Sequence, residues 1–133
     1  MKVVILGCSR VGALLASSLA SQGNEVAIID WEENSFQRLE KNFSGKTILG
    51  SGTDVESLIR GGIEKAEAFI AVTSKDNINL MAAQIVREKF KVPKILVRVS
   101  DPKRAQSFKE LGLDIICPTV LAAKELEKFL TKK

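Results

Sequence analysis

Residues 3–12, Val-Val-Ile-Leu-Gly-Cys-Ser-Arg-Val-Gly, constrain the fold of this chain more than any other stretch. Val3–Leu6 is apolar and mostly β-branched, reads as a buried strand, and runs straight into Gly7-Cys8-Ser9-Arg10-Val11-Gly12. Val11, Leu14, Leu15, Ser18 and Leu19 then follow at i, i+3, i+4, i+7 and i+8, the spacing of one helix face. Strand, glycine turn and helix together give a G-x-G-x-x-G pattern its meaning. Such a turn aims free N–H groups and the positive end of a helix at one point, which suits a phosphate. Ser9 stands where the middle glycine would be; it takes some of the room for a pyrophosphate and offers a hydroxyl that can donate to one. Eighteen residues past Gly12, the apolar run Val26-Ala27-Ile28-Ile29 ends in Asp30. An acid there accepts hydrogen bonds from an adenosine ribose and disfavours a 2′-phosphate, which points away from NADP.

The 133 residues carry a net charge of +4, spread without any basic stripe interleaved with aromatics, so no nucleic-acid partner is expected. No apolar run approaches the ~20 residues needed to cross a bilayer, so direct membrane insertion is not expected and a cytoplasmic location is. Cys8 and Cys117 fit neither a zinc spacing nor a disulfide scaffold and read as small apolar packers. The place of Cys8 at a helix N-terminus also opens a second reading, an acidified thiol. Histidine and tyrosine are both absent. That removes the commonest acid–base side chain and the commonest metal ligand, so neither a catalytic group nor a metal site is expected.

Strand-like runs alternate with amphipathic segments from end to end, the pattern of an α/β fold with a mainly parallel sheet. Strands are expected at Lys2–Leu6, Glu25–Asp30, Thr47–Leu49, Ala68–Thr73, Lys94–Val99 and Asp114–Cys117. The first helix runs over Arg10–Gln22, and a second from about Glu33 to Asn42 buries Phe36, Leu39 and Phe43. The capping box Thr53-Asp54-Val55-Glu56 opens a third helix, which buries Val55, Leu58 and Ile59. A fourth, about Asn77 to Phe90, is apolar over well over half its circumference through Ile78, Leu80, Met81, Ala82, Ala83 and Ile85, more than one sheet face needs. Deep burial in the monomer and a subunit contact both account for it, and the contact is favoured. Asp101-Pro102 caps a fifth helix that buries Ala105, Phe108 and Leu111. A last one, about 119–131, puts Ala122, Leu126, Phe129 and Leu130 on one face. Six strands and six helices fill residues 1–133 as a single Rossmann-like, doubly wound parallel sheet with helices on both faces. The expected strand order is 3-2-1-4-5-6, with a ligand crevice at the carboxyl ends of the strands.

Polar residues collect at those ends: Ser9 and Arg10 after strand one, Asp30 and Trp31 after two, Ser51, Gly52 and Thr53 after three, Thr73 and Ser74 after four, and Arg98 closing five. With Gly7, Cys8, Val11 and Gly12 they form the candidate binding site. Each also has a plain structural role. Gly7 and Gly12 are needed for the turn and for helix–strand packing with no ligand at all; Thr53 is first a helix cap; Asp30 can simply close a strand. Arg10 opposes the helix dipole, a local penalty that calls for an anion, either a phosphate or a surface ion pair.

The assembled residues resemble the N-terminal lobe of the regulator-of-potassium-conductance family, also called RCK, KTN or TrkA-N domains. The resemblance rests on Gly7-Cys8-Ser9-Arg10-Val11-Gly12, Ile28-Ile29-Asp30, Gly50-Ser51-Gly52-Thr53, Gly62-Ile63, Thr73-Ser-Lys-Asp76-Asn-Ile-Asn79 and Ile95-Leu-Val-Arg98-Val. It implies a regulatory subunit or domain that binds NAD(H) or an adenine nucleotide (AMP, ADP or ATP). It further implies pairing, as a homodimer or larger ring, through the helix at about Asn77–Phe90 and its surroundings. The partner would be a potassium (cation) channel or transporter subunit, holding the protein at the inner face of the membrane. Arg10, near phosphates in relatives, is the candidate for coupling ligand to geometry. Ser51 replaces an acid common in relatives, and Ser51, Arg98 and Ser100 replace the carboxylates of calcium-gated ones, so no calcium site carries over. The family's C-terminal lobe would follow the last helix, which makes the chain either a stand-alone N-lobe or a piece of something longer. Two alternatives come from other classes: an assembly module with a vestigial pocket, signalled by Ser9 and Ser51, and an NAD-dependent dehydrogenase fragment, for which only Lys75 or Asp76 could serve in proton transfer.

Overall fold

The computed structural model describes residues 1–132. β1 (Lys2–Leu6) lies at the centre of a six-stranded, all-parallel sheet. It pairs on one side with β2 (Glu25–Asp30), which pairs with β3 (Lys46–Leu49). On the other side it pairs with β4 (Ala68–Ala71), followed by β5 (Lys94–Arg98) and β6 (Asp114–Ile116). The order is thus β3-β2-β1-β4-β5-β6, as expected. The centre of such a sheet is covered on both faces, which is why its strands are continuously apolar. Val4, Leu6, Ile29, Phe69 and Ala71 face one cluster, with Leu58 and Val86 from covering helices. Val3, Ile5 and Ile28 face the opposite one, with Ala13 and Ala16. Each large side chain fully buried here contributes about 1.5–3 kcal/mol.

Helix α1 (Arg10–Ser21) buries Gly12, Ala13 and Ala16, while Val11 and Leu14 stand 51% and 74% exposed. The expected stripe is therefore rotated. A Cβ on Gly12 would collide with the Gly7 carbonyl, so the helix lies close against the turn through its small residues and its first bulky ones face out. The segment after β2 also departs from expectation. A short 3₁₀ turn, Glu33–Arg38, replaces the full helix, with Glu32 ahead of it giving no side-chain cap. Its Phe36, with Leu39 and Phe43, is only half-buried against the α1-side core. Uncapped and containing Asn34, Ser35 and Phe36, the segment has little propensity to extend.

Helix α2 (Val55–Arg60) begins two residues later than the Thr53 cap implied. Asp54 is the N-cap: its carboxylate accepts from Glu56 N at 3.3 Å and from Ser57 Oγ at 3.0 Å. Aspartate outranks threonine at this position. Leu58 is buried, Val55 half-buried and Ile59 exposed. Helix α3 (Asp76–Lys89) buries Asn79, Leu80, Ala82, Ala83 and Val86, leaving Met81 in solvent. Helix α4 (Pro102–Glu110) buries Ala105 but leaves Leu111, just past its end, 71% exposed. Helix α5 (Pro118–Thr131) buries no side chain, and Leu121, Leu126, Phe129 and Leu130 are all exposed. The described residues thus hold five α-helices rather than six, together with the 3₁₀ turns Glu33–Arg38 and Ile63–Lys65. Among them no helix is long and apolar enough to cross a membrane.

Candidate functional site

At the carboxyl ends of β1, β2, β3 and β4 the sheet opens into a crevice of about 670 Å³. Small-molecule sites run to about 300–1,000 Å³. Its floor is the glycine turn between β1 and α1. Gly7 has φ +106°, and a Cβ there would stand 2.7 Å from the Thr73 amide nitrogen, so both conformation and space require glycine. Ser9 is the N-cap of α1: its Oγ accepts from Gly12 N at 3.1 Å and donates to the Val72 carbonyl at 2.8 Å. Its single proton is spent inside the turn, so Ser9 is not the phosphate donor that the sequence allowed. The cap and the Ser9 carbonyl take the Gly12 and Ala13 amides. The amides of Arg10 and Val11, the first two of the helix, stay unpaired, as helix starts leave them.

Arg10 is exposed at the mouth of the crevice and makes no ion pair or hydrogen bond among the described residues. Asp30 lies half-buried at the end of β2, its Oδ2 accepting from Cys8 N and its Oδ1 from Glu32 N, both at 2.8 Å. The carboxylate therefore clamps the glycine turn to the β2 end. One lone pair on each oxygen remains for a hydroxyl donor. Trp31, 72% exposed, stands on the lip beside it. Gly50, Ser51 and Gly52 form the wall after β3; a Cβ on Gly52 would run into Leu6, so the wall closes tightly on the strand. Ser51 Oγ pairs with Thr53 Oγ1 at 3.0 Å. Thr73 and Ser74 form the wall after β4.

Five of the expected site residues do not line this crevice. Cys8 and Gly12 are buried beneath the turn, and Val11 points away from it. Thr53 lies outside the lining with its hydroxyl turned to Ser51. Arg98 is directed at the fold's own backbone: its Nη1 donates to the Thr73 carbonyl at 3.3 Å, and its buried Nε has no partner among the described residues. The acidified thiol is overturned as well. Burial first, and the Asp30 charge second, push the Cys8 thiol up to about 11, with Arg38 pulling the other way. Cysteine at a helix N-terminus is acidified only when the thiol is solvated enough to ionise.

The crevice also holds residues that the sequence reading missed. Arg38 lines it and donates from Nη1 to the Cys8 carbonyl at 2.9 Å. Lys75, Ser35 and Glu32 complete the polar lining, and Ile78 gives it an apolar side. No local pattern marks Arg38, whose bond to Cys8 spans 30 residues. Asp76, considered as a proton-transfer group, is occupied instead with Ser100 N at 2.9 Å and Asp101 N at 3.4 Å. Two guanidinium groups, an ammonium, the unpaired Arg10 amide and two carboxylates, one of them clamped, thus share one opening. Such a set can bind an anion and a hydroxyl together. Among the described residues no cluster of His, Cys, Asp and Glu is suited to a metal ion.

Known proteins resemble this chain in sequence and in fold. The family model for the TrkA-N domain matches residues 3–118. A Trk system potassium uptake protein TrkA from Streptomyces coelicolor is 44% identical over 124 residues, which are 93% of this chain and 54% of that protein. The chain thus spans about half the length of that relative. Among solved structures, the TrkA-N domain of the inner membrane protein ybaL from Escherichia coli superposes with a TM-score of 0.85 at 18% identity, covering 97% of this chain and 96% of that one. A Kef C-terminal domain from Shewanella denitrificans in AMP-bound form gives 0.81 at 20% identity, covering 95% and 77%. At those identities the two structures speak for the fold, whereas the family model and the Streptomyces relative speak for descent. The chain belongs to the TrkA-N domain family, the RCK lineage of Rossmann-like domains.

Proposed function

We propose that the crevice holds the adenosine phosphate part of an adenine nucleotide, alone (AMP, ADP or ATP) or within NAD(H), and releases it unchanged. The observation that carries this reading is Arg10: a guanidinium on the first turn of α1, without a partner among the described residues, beside its own unpaired amide and in the same opening as the Asp30 carboxylate. Phosphate would sit on the Arg10 amide and guanidinium, the ribose hydroxyls on Asp30, and the adenine against Trp31 and the Gly50–Gly52 wall. The AMP in the Kef domain of the same fold supports the ligand class. The TrkA relative supports a role in potassium uptake. The chain would act there as a single nucleotide-sensing regulatory domain rather than an enzyme, paired with copies of itself through α3, with α5 adding to assembly, and docked on the cytoplasmic side of a membrane transporter or channel. Occupancy would favour one arrangement of the paired domains, by no more than the nucleotide's differential affinity for the two.

Isothermal titration with AMP, ADP, ATP, NAD⁺ and NADH tests the reading. Saturable binding by at least one, weakened by Asp30→Asn and by Arg10→Gln, is the expected result. Absence of heat with all five at millimolar concentration would sink it. One observation favours a second reading, an assembly module with a vestigial pocket: the Ser9 hydroxyl and both Asp30 oxygens already have partners within the protein. A normally assembled protein that ignores all five nucleotides would establish that reading.

A further inference from the structure

Four hydrogen bonds converge on one side chain that the ligand reading leaves unused. Asn79, in the first turns of α3, is fully buried. Its Oδ1 accepts from Thr73 N at 2.9 Å and from Thr73 Oγ1 at 2.6 Å. Its Nδ2 donates to the Thr73 carbonyl and to the Arg98 carbonyl, both at 3.0 Å. An amide and a hydroxyl meet the oxygen while two carbonyls meet the nitrogen, so only one orientation of the side chain satisfies them. All four of its hydrogen-bonding valences are then used.

The partner of three of these bonds is the crevice wall itself. Thr73, Ser74 and Lys75 line the opening, and Lys75 N donates back to Thr73 Oγ1 at 3.2 Å. On the far side Asp76 ties the start of α3 to Ser100 after β5. The wall after β4 is therefore latched to α3 and the β5 end, whereas the floor of the crevice is latched to β2 through Asp30. A buried polar network of this kind is costly to hold half-made, so the wall and α3 move together or not at all.

We propose that Asn79 is a positioning residue that sets the Thr73–Lys75 wall and carries the effect of an occupied crevice into α3. This rests on the nucleotide reading above, and the experiment separates the two. Amide hydrogen exchange is followed with and without saturating AMP, and separately NADH, in the wild type, Asn79→Ala and Val86→Ala. Val86 is buried on the same helix with its side chain in the apolar core. In the wild type, nucleotide should slow exchange at residues 7–13 and 76–89. Asn79→Ala should weaken binding about tenfold or more and abolish the slowing at 76–89 while keeping it at 7–13. Val86→Ala should lose thermal stability yet keep its affinity and both protected segments. Persistent protection of 76–89 in Asn79→Ala, or its equal loss in Val86→Ala, would overturn the proposal. Protection of 7–13 alone in the wild type would overturn it and leave the nucleotide reading standing, and no protection anywhere would remove both. If Asn79→Ala does not fold, Thr73→Val, which deletes the hydroxyl from the latch, makes the same comparison.

Discussion

The crevice has a floor and a wall, and the two are built by opposite means. In the floor, residues 7–12, shape comes from missing side chains, since Gly7 takes a φ that other residues resist and Gly12 lets the helix touch the turn, while Asp30 and Arg38 tie down the Cys8 amide and carbonyl. In the wall, Thr73–Lys75, it comes from a side chain that arrives from elsewhere, since no left-handed residue occurs there and Asn79 gathers the loose backbone groups. A floor shaped by glycine backbone and tied at both Cys8 groups stays fixed and leaves the Arg10 amide to an anion. A wall held by one amide side chain is only as rigid as the helix that carries it.

Substitutions on the two sides sharpen or break this contrast. The largest effect is expected from Gly7→Ala, which adds a Cβ in the left-handed region against Thr73 N. It should cost about 3 kcal/mol or more, read as a large fall in Tm. Asn79→Leu should come next. It keeps the branching of the side chain but is bulkier, and it strands the Thr73 amide and takes a donor from the Thr73 and Arg98 carbonyls, costing about 2–4 kcal/mol in urea unfolding. Ser9→Ala, which removes the α1 cap and the bond to the Val72 carbonyl, should cost about 1–2 kcal/mol. If Ser9→Ala proves more damaging than Asn79→Leu, the floor depends on a side chain more than the wall does, and the contrast fails.

An effect confined to alkaline pH concerns Cys8 under the floor. Its thiol ionises near 11 in the fold against 9.0 when free, so between those pH values the unfolded chain releases a proton that the folded one keeps. Stability should thus be insensitive to this group below pH 9 and decline as pH rises toward 11. Chemical denaturation across that range should show the decline in the wild type and a shallower one in Cys8→Ala.

The same contrast explains what could be read from the amino acids alone. Strand order, the glycine turn and Asp30 were legible because they rest on short-range patterns: apolar runs, a turn that needs glycine, a fixed spacing between the two. Thr73 and Ser74 stand out by their place after strand four, but Asn79 stands out only through family resemblance, and nothing local tells that it faces inward; its partner on Arg98 is 19 residues away. Arg38 escaped for a related reason, since its bond to Cys8 spans 30 residues and depends on how a 3₁₀ turn packs beside α1. Helix faces were misjudged where small residues outcompete large ones. Val11 and Leu14 fit a stripe by period, but Ala13 and Ala16 permit closer approach to the sheet and take the inner positions. Arg98 was placed in the site because it ends a strand on the right edge, yet its guanidinium serves a backbone carbonyl.

Trp31 is the only tryptophan of the chain, and its indole stands in water on the lip of the crevice. The molecule therefore carries its own optical reporter. Ultraviolet emission from a hydrated ring shifts to shorter wavelength and dims when a flat heterocycle covers it, so occupancy of this opening can be followed with no label attached.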